Sequence, residues 1–210
     1  MDKNLREANR IKGEKLIEKL KLRGFAADFF DSGEEMLEFF KGALEKGSSV
    51  AVGGSMTLFE TGIIDYLTGN IEYDFIDRYH SDDIAETQRQ ALLADNFVMS
   101  SNAITMDGIL YNVDGRGTRV GPLIFGPKKV YVILGMNKVV KDLDEAKKRV
   151  ETIAAPANNI RLKKDNPCTA IGECVHCNKE TTICNQYVIT RRSDPKDRIH
   201  ILLINDDFGY

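Results

Sequence analysis

Several features that define whole classes of protein are missing from this chain of 210 residues. No apolar run approaches the roughly 20 residues that a membrane-spanning helix needs. The N-terminal stretch MDKNLREANRIKGEKL is too charged to hold the apolar core of a secretory signal. The formal charge of −3 gives no electrostatic basis for binding nucleic acid or an anionic membrane. These absences favour a cytoplasmic protein that has neither nucleic acid nor membrane as a partner.

Cysteine is also absent from most of the chain, since all four cysteines fall between Cys168 and Cys184. Secreted proteins spread disulfides across the fold, whereas one cluster in an intracellular chain more often binds a metal or carries redox chemistry. Cys174 and Cys177 are spaced to grip one metal ion, and the outer two complete a four-sulfur set. Three interpretations stay open: an iron–sulfur cluster, a structural zinc, and free thiols without a metal.

The rest of the chain alternates short apolar runs with amphipathic stretches. The helical stretches that this pattern predicts are 3–23, a segment capped by Ser32 and closed by Gly47, 57–67, a segment opened by 81–83, and one that starts at Asp142. The predicted strands are 25–30, 50–52, 71–76, 97–99, 109–113, 130–134, 187–190 and 199–204. After Pro156 the pattern turns irregular. This alternation predicts an α/β fold with a mainly parallel sheet covered by helices on both faces.

The central stretch 97–126 holds the densest set of polar side chains between apolar strands. It contains two Asp-Gly pairs, which are typical of tight turns because glycine accepts positive φ. Two turns would bring together a group of side chains able to surround a small ligand: Asn102, Thr105, Asp107, Asn112, Asp114 and Arg119. A β-hairpin whose Asx side chains only cap their own turns is the alternative.

A second candidate stretch, Gly53-Gly54-Ser55, follows the predicted strand 50–52 and precedes a helix. Glycines let the backbone approach a ligand, and free N–H groups at a helix start favour an anion such as phosphate or carboxylate. The stretch matches neither the Walker pattern nor the three-glycine dinucleotide fingerprint. A turn that merely connects strand to helix is the alternative.

Ligands of parallel α/β sheets bind beyond the carboxyl ends of the strands, and both stretches lie at such ends. We therefore predict one small-anion pocket, in which the glycine turn holds the anionic end of a carboxylate or phosphate ligand. Arg119 offers a planar fork for a carboxylate, and Asp107 or Asp114 would serve as general base if burial raised its pKa.

Three stretches carry a resemblance to a known family: SNAITMDGILYNVDGRGTRV, FGPKKVYVILGMNKVVKDLDEAKKRV and the cysteine segment, with GGSMTLFETG before them. They resemble the lactate-utilisation (LUD) domain family from about residue 5 to the final Phe208-Gly209-Tyr210. One departure is Thr118, where the family pattern has asparagine between Gly117 and Arg119.

The resemblance implies a three-layer α/β/α fold similar to ribose-5-phosphate isomerase, glucosamine-6-phosphate deaminase and CoA transferases. We expect one domain over residues 1–210, with a cysteine-rich metal-binding segment at 165–186 inside it. The family is linked to bacterial oxidation of lactate, alongside iron–sulfur and flavin-type partner proteins.

Two main functional hypotheses follow. In the first, the protein is a redox subunit whose cysteines hold an iron–sulfur cluster beside a small-anion pocket. In the second, it is a non-redox ligand-binding or regulatory domain with a structural zinc. Sugar-phosphate or CoA-type enzymatic chemistry rests on fold analogy alone.

Overall fold

A computed structural model describes residues 2–210 of the protein. Its main sheet has six strands, each parallel to its neighbours, in the order β1-β10-β7-β4-β2-β3. These strands are β1 (Ala26–Phe30), β2 (Ser49–Val52), β3 (Asp74–Ile76), β4 (Asn96–Met99), β7 (Lys129–Gly135) and β10 (Ile199–Ile204). Strands β4 and β10 are buried along their whole length, as expected for the interior of a parallel sheet.

Helices connect the strands and cover the sheet. They are α1 (Lys3–Leu22), α2 (Gly33–Ala43), α3 (Met56–Glu60), α4 (Ile63–Leu67), α5 (Ile84–Gln90), α6 (Val120–Ile124), α7 (Leu143–Arg149), α8 (Ala155–Arg161) and α9 (Cys168–Ile171). Side-chain caps start several of them where the sequence predicts: Ser32, Asp83 and Asp142 each accept a backbone N–H of the first turn.

The core lies in two layers, one on each face of the main sheet. Successive residues of a strand point to opposite faces, so Val98 belongs to one layer while Phe97 and Met99 belong to the other. Leu16 and Leu20 of α1 pack on the second of these faces, and Phe40 of α2 packs on the first. The predicted α/β fold, with a mainly parallel sheet between helices, is confirmed.

A second, smaller sheet was not among the predictions. Its order is β8-β5-β6-β9, with β5 (Ala103–Thr105), β6 (Leu110–Asp114), β8 (Val139–Val140) and β9 (Gln186–Thr190). Strands β5 and β6 form the hairpin that the first Asp-Gly pair indicates, and Gly108 takes φ of +77° in its turn. This sheet stands beyond the carboxyl end of β4 and holds the polar central stretch.

Three predicted boundaries are wrong. Of the strand expected over 71–76, only Asp74–Ile76 is strand. The helix expected over 57–67 is broken in two, because Gly62 adopts φ of +75° between α3 and α4. The irregular region expected after Pro156 is instead helical as far as Arg161, and a stretch of π-helix over Val150–Ala154 precedes it. Pro156 has no N–H to donate to the carbonyl oxygen four residues earlier, and the wider turns of the π-helix lie just before it.

None of the helices found in residues 2–210 combines the length and apolar character needed to cross a bilayer.

The C-terminal tail packs closely over the end of β7, and a substitution at Gly135 tests this packing. A Cβ at Gly135 would lie 2.5 Å from the Asp206 carbonyl oxygen and 2.7 Å from the Phe208 nitrogen. We expect Gly135→Ala to lower the free energy of unfolding by about 1–3 kcal/mol, because rigid backbone atoms would have to move.

The matched control is Gly42→Ala in α2, where an added Cβ meets no described atom within 4 Å apart from the backbone of its own helix. That change should be neutral or raise stability by about 0.5–1 kcal/mol, since alanine favours helix over glycine. Urea unfolding of both variants measures the difference. Equal stability of the two would contradict the tight packing at Gly135.

Candidate functional site

A cavity of about 350 Å³ opens where three strands of the main sheet end. Gly54 and Ser55 follow β2, Ser100 and Asn102 follow β4, and Lys138 follows β7, and all five line it. This is the edge at which open parallel sheets bind ligands. The two stretches singled out in the sequence therefore meet at one cavity.

Positive charge dominates this cavity. Asp114 has the one acidic side chain among its described lining residues, whereas six lining side chains are cationic: Arg78, Arg116, Arg119, Lys138, Arg161 and Lys164. Charges of one sign in a concave site reinforce one another and raise the local concentration of opposite charge. The cavity is therefore suited to a small anion.

Arg119 is buried and ties three parts of the site together. Its Nη1 donates to the Ser100 carbonyl oxygen at 2.8 Å and to Asn112 Oδ1 at 2.5 Å. Its Nη2 donates to Asn102 Oδ1 at 2.8 Å and to the Val113 carbonyl oxygen at 2.9 Å. The Nε atom lies 3.6 Å from Asp114 Oδ2.

Four acceptors thus take the N–H groups of the two Nη atoms, and Asp114 is the ion-pair partner on the Nε side. Arg119 thus holds the loop after β4 against β6 and contributes positive charge to the cavity, while its fork is already occupied by protein acceptors. Its proposed bidentate contact with a ligand carboxylate stays a prediction, and that contact would require the exchange of these partners.

Asp114 lies at the end of β6 and faces the cavity. Its Oδ1 accepts the Gly117 N–H at 2.9 Å, which shapes the turn to α6, and its carbonyl oxygen accepts the Asn185 N–H at 3.0 Å. The Arg119 ion pair and this turn give the carboxylate a positioning function. A role as general base stays a prediction.

Lys138 is a buried cation that the sequence analysis did not select. It is 2% exposed, and its Nζ donates to Thr57 Oγ1 at 2.8 Å and to Ser100 Oγ at 3.0 Å. Burial, with help from the nearby Arg149 and Arg119 charges, lowers the pKa of Lys138 to about 7. A lysine that is partly neutral at physiological pH can act as a base or nucleophile as well as a cation.

The other predicted residues divide into two groups. Gly53 does not line the cavity but packs behind it, where an added Cβ would stand 2.9 Å from Arg119 Cγ. Asn112 is buried behind Arg119. Thr105 and Asp107 belong to the far turn of the hairpin, where Thr105 Oγ1 accepts the Ile109 N–H and Asp107 is exposed.

Five of the six lining cations were not among the predicted site residues: Arg78, Arg116, Lys138, Arg161 and Lys164. Lys138 follows the predicted strand 130–134 within a few residues, so the strand-end rule that selected Asn102 would also have selected it. Arg116 belongs to the central stretch but has no partner there that marks it, and Arg78, Arg161 and Lys164 carry no local motif. Only the tertiary structure brings these side chains to the cavity.

The four cysteines line a second cavity of about 120 Å³. None forms a disulfide. Burial and the neighbouring thiols raise the pKa of Cys184 to about 11, and the same causes raise the pKa of Cys168. Cys174 Sγ accepts the His176 N–H at 3.3 Å, and His176 adopts φ of +51° between Cys174 and Cys177. A donated N–H stabilises a thiolate, which is the form that binds metals.

The thiols are not arranged around a single ion. Over the described part of the chain, no group of three or more His, Cys, Asp or Glu side chains has the arrangement needed to hold a metal ion. A tetrahedral zinc at about 2.3 Å from each sulfur requires neighbouring thiolates about 3.8 Å apart. The metal site predicted at these cysteines stays a prediction, and its donor set is one that iron–sulfur clusters also use.

One wall separates the two cavities. Ile183 lines the cationic cavity, whereas its neighbours Thr182 and Cys184 line the cysteine cavity. In α8, Asn158 lines the first and Asn159 lines the second. In each of these two segments, adjacent residues therefore line different cavities.

The Arg119 network generates a stability prediction. We expect Arg119→Lys to lower the free energy of unfolding by about 3 kcal/mol, because an ammonium leaves several buried acceptors without a donor. Arg116→Lys is the control, since Arg116 is exposed on the same loop and its change should cost less than about 0.5 kcal/mol. Guanidinium unfolding compares them. If Arg119→Lys proved as mild as its control, the guanidinium would not be the anchor of this site.

Comparisons with known proteins were made for the sequence and the fold. A search of curated proteins returned no match. A crystal structure of a DUF162 family protein from Deinococcus radiodurans superposes with a TM-score of 0.51 at 13% identity, covering 95% of this chain and 98% of that one. The eIF2B delta structure from Chaetomium thermophilum gives a TM-score of 0.39 at 13% identity, over 64% of this chain and 54% of that one.

The fold similarity to the Deinococcus protein extends over nearly the full length of both chains. The LUD domain family model matches residues 13–204, which include every strand of the main sheet and both cavities except Tyr210. The chain therefore belongs to the LUD domain family.

Proposed function

We propose that this protein binds a small organic anion as a redox subunit of a lactate or related organic-acid oxidation system. The observation that carries the proposal is the cationic cavity, in which six basic side chains face a single acidic one among the described lining residues. A carboxylate or phosphate ligand would supply the negative charge that this part of the protein lacks. Membership of the LUD domain family supports the link to organic acids.

The size of the cavity favours a small ligand. A volume of about 350 Å³ lies at the lower end of ligand pockets, which run from about 300 to 1,000 Å³. Gly54 lies exposed at its rim, where a side chain would approach Arg78 at 3.6 Å, so the backbone there is accessible to a ligand. Buried Lys138 and Arg119 place positive charge on the inner side of the cavity. Exposed Arg116 and Arg161 place positive charge near solvent.

The cysteine cavity supports the redox part of the proposal. Four thiols outside any disulfide, a backbone N–H on Cys174 Sγ and a position next to the anion cavity suit an iron–sulfur cluster held by Cys168, Cys174, Cys177 and Cys184. Such a cluster would supply one-electron transfer. A redox partner protein would then exchange those electrons at the exposed side of this segment, where Val175 and Ile171 are solvent-accessible.

The segment around the cysteines holds itself together by polar contacts. Asn166 Nδ2 donates to Asn159 Oδ1 at 2.6 Å, and Thr181 Oγ1 donates to Asn166 Oδ1 at 2.8 Å. The Cys174 N–H is bound by the Glu151 carbonyl oxygen in the π-helical stretch. These hydrogen bonds stabilise the region in which the segments 158–159 and 182–184 separate the two cavities.

The anion site is tested by calorimetric titration with lactate, pyruvate and inorganic phosphate at low ionic strength. We expect binding that weakens with salt, and a loss of affinity of about tenfold, or 1.4 kcal/mol, in Lys164→Glu, because a repulsive charge then lines the cavity. Lys163→Glu is the matched control: it changes the net charge equally, but Lys163 does not line the cavity. An equal loss in both variants, or the absence of anion binding, would overturn the proposed site.

The metal site is tested separately, by iron, zinc and acid-labile sulfide analysis of anaerobically purified protein. We expect brown protein with sulfide and iron, colour lost in Cys174→Ser, and colour kept in His176→Asn, since asparagine tolerates the positive φ of that position. Metal uptake should strengthen as pH rises, because the raised pKa values of Cys168 and Cys184 mean that binding must displace protons.

Colourless protein with one zinc per chain would replace the redox subunit with the alternative of a structural zinc. Protein with neither metal would remove both. Neither result would bear on the anion cavity, whose titration uses no metal.

A further inference from the structure

Lys138 occupies an unusual position for a lysine. It ends the short 3₁₀ turn Met136–Lys138 directly after β7, it is almost fully buried, and it lines the cationic cavity. Lysine is rarely buried without a paired charge. Here the side chain reaches from the core into the place where an anionic ligand would bind.

Lys138 Nζ is the donor in both of its hydrogen bonds. The Thr57 hydroxyl donates its own proton to the Phe208 carbonyl oxygen at 3.2 Å, so it accepts from Lys138. The Ser100 hydroxyl faces the Ser101 carbonyl oxygen at 3.4 Å and likewise accepts from Lys138. A neutral amine has two N–H groups, and this arrangement satisfies both while leaving its lone pair unused.

The charges around Lys138 favour that neutral form. No carboxylate of residues 2–210 forms an ion pair with its Nζ, whereas Arg149 and Arg119 both repel its charge. Glu60 is the acidic group that favours the charged form, and its Oε2 accepts the Gly209 N–H instead. The pKa of about 7 means that roughly half of the molecules hold a free amine at neutral pH.

We propose that Lys138 is a nucleophile that forms an imine with the carbonyl carbon of a small 2-oxo acid bound in the cationic cavity. A desolvated lysine beside other cationic groups is an activated nucleophile for carbonyl substrates. The cavity also explains why the substrate should be an acid, because the lining arginines would bind a carboxylate next to the carbonyl group. This inference rests on the anion site of the proposed function.

The chemistry balances without an oxidant or a reductant. The amine nitrogen attacks the carbonyl carbon, a C–N bond forms, and one N–H proton passes to the former carbonyl oxygen to give a carbinolamine. That hydroxyl then leaves as water together with the second N–H proton, and a C=N bond remains. The Thr57 and Ser100 hydroxyls, each within 3.0 Å of Nζ, are placed to carry the proton from nitrogen to oxygen.

The experiment traps the imine on the full-length protein with pyruvate and cyanoborohydride at pH 7.5, followed by peptide mapping. Reduction leaves one carboxyethyl group on the lysine that formed the imine. We expect it on Lys138 and not on Lys141, an internal control with a 78% exposed side chain. An ordinary lysine with a pKa of about 10.4 is only about one-thousandth neutral at this pH.

The pH dependence of labelling distinguishes an activated amine at Lys138 from nonspecific labelling. Labelling of Lys138 should reach half its maximum near pH 7 and fall at lower pH, whereas an ordinary lysine amine reacts appreciably only above about pH 9. Lactate and inorganic phosphate, which bind anion sites but have no ketone, should protect Lys138. Lys138→Arg should abolish the trapped adduct, and its circular dichroism shows whether it folds.

The outcomes distinguish this inference from the proposed function. Anion binding by calorimetry without an adduct on Lys138 would overturn the imine and leave the anion site standing. An adduct that phosphate and lactate do not suppress would overturn its location in the cavity. Neither binding nor adduct would overturn both.

Discussion

The buried guanidinium of Arg119 is the interaction on which the site depends. It joins the loop after β4 to strand β6 through carbonyl and amide acceptors, and Asp114 offsets its charge. Burying a cation is costly unless its donors are satisfied, and here both Nη atoms are hydrogen-bonded while Nε faces the Asp114 carboxylate. The smaller sheet is thereby held against the main sheet, and the cavity forms between the two.

That network also explains why the cavity stays cationic. The single acidic side chain among its described lining residues is already paired with Arg119, so Lys138, Arg78, Arg161 and Lys164 face the space without a compensating carboxylate there. Like charges at close range destabilise a fold, and an anion bound among them would recover that free energy. An arrangement that costs stability without a ligand is characteristic of functional sites rather than of structural ones.

The cysteine segment is joined to this site through the chain itself. Asn185 binds the Asp114 carbonyl oxygen and Ile183 forms part of the cavity wall, while Cys184 between them faces the other cavity. Any rearrangement of Cys184 on binding a metal would therefore act on the segment that contacts Asp114. The two sites share one structural element, which is the physical basis for considering them as parts of one function.

The sequence by itself determined the elements and the direction of the main sheet. Apolar runs such as Val130–Leu134, the caps Ser32 and Asp142, and the glycine turn after β2 act through local backbone preferences and burial, which a linear pattern records. It also determined that the glycine turn and Asn102 belong at strand ends, where both line one cavity.

The tertiary structure decided which side chains share the site. Arg78 comes from one segment and Arg161 and Lys164 from another at the end of α8, and no local spacing connects either segment to Gly54. It alone showed that the fork of Arg119 is filled by protein acceptors, that Asp107 lies at the far turn, and that Lys138 is buried beside two arginines. Burial, partner choice and charge balance arise from contacts between distant segments, and a one-dimensional pattern carries no record of them.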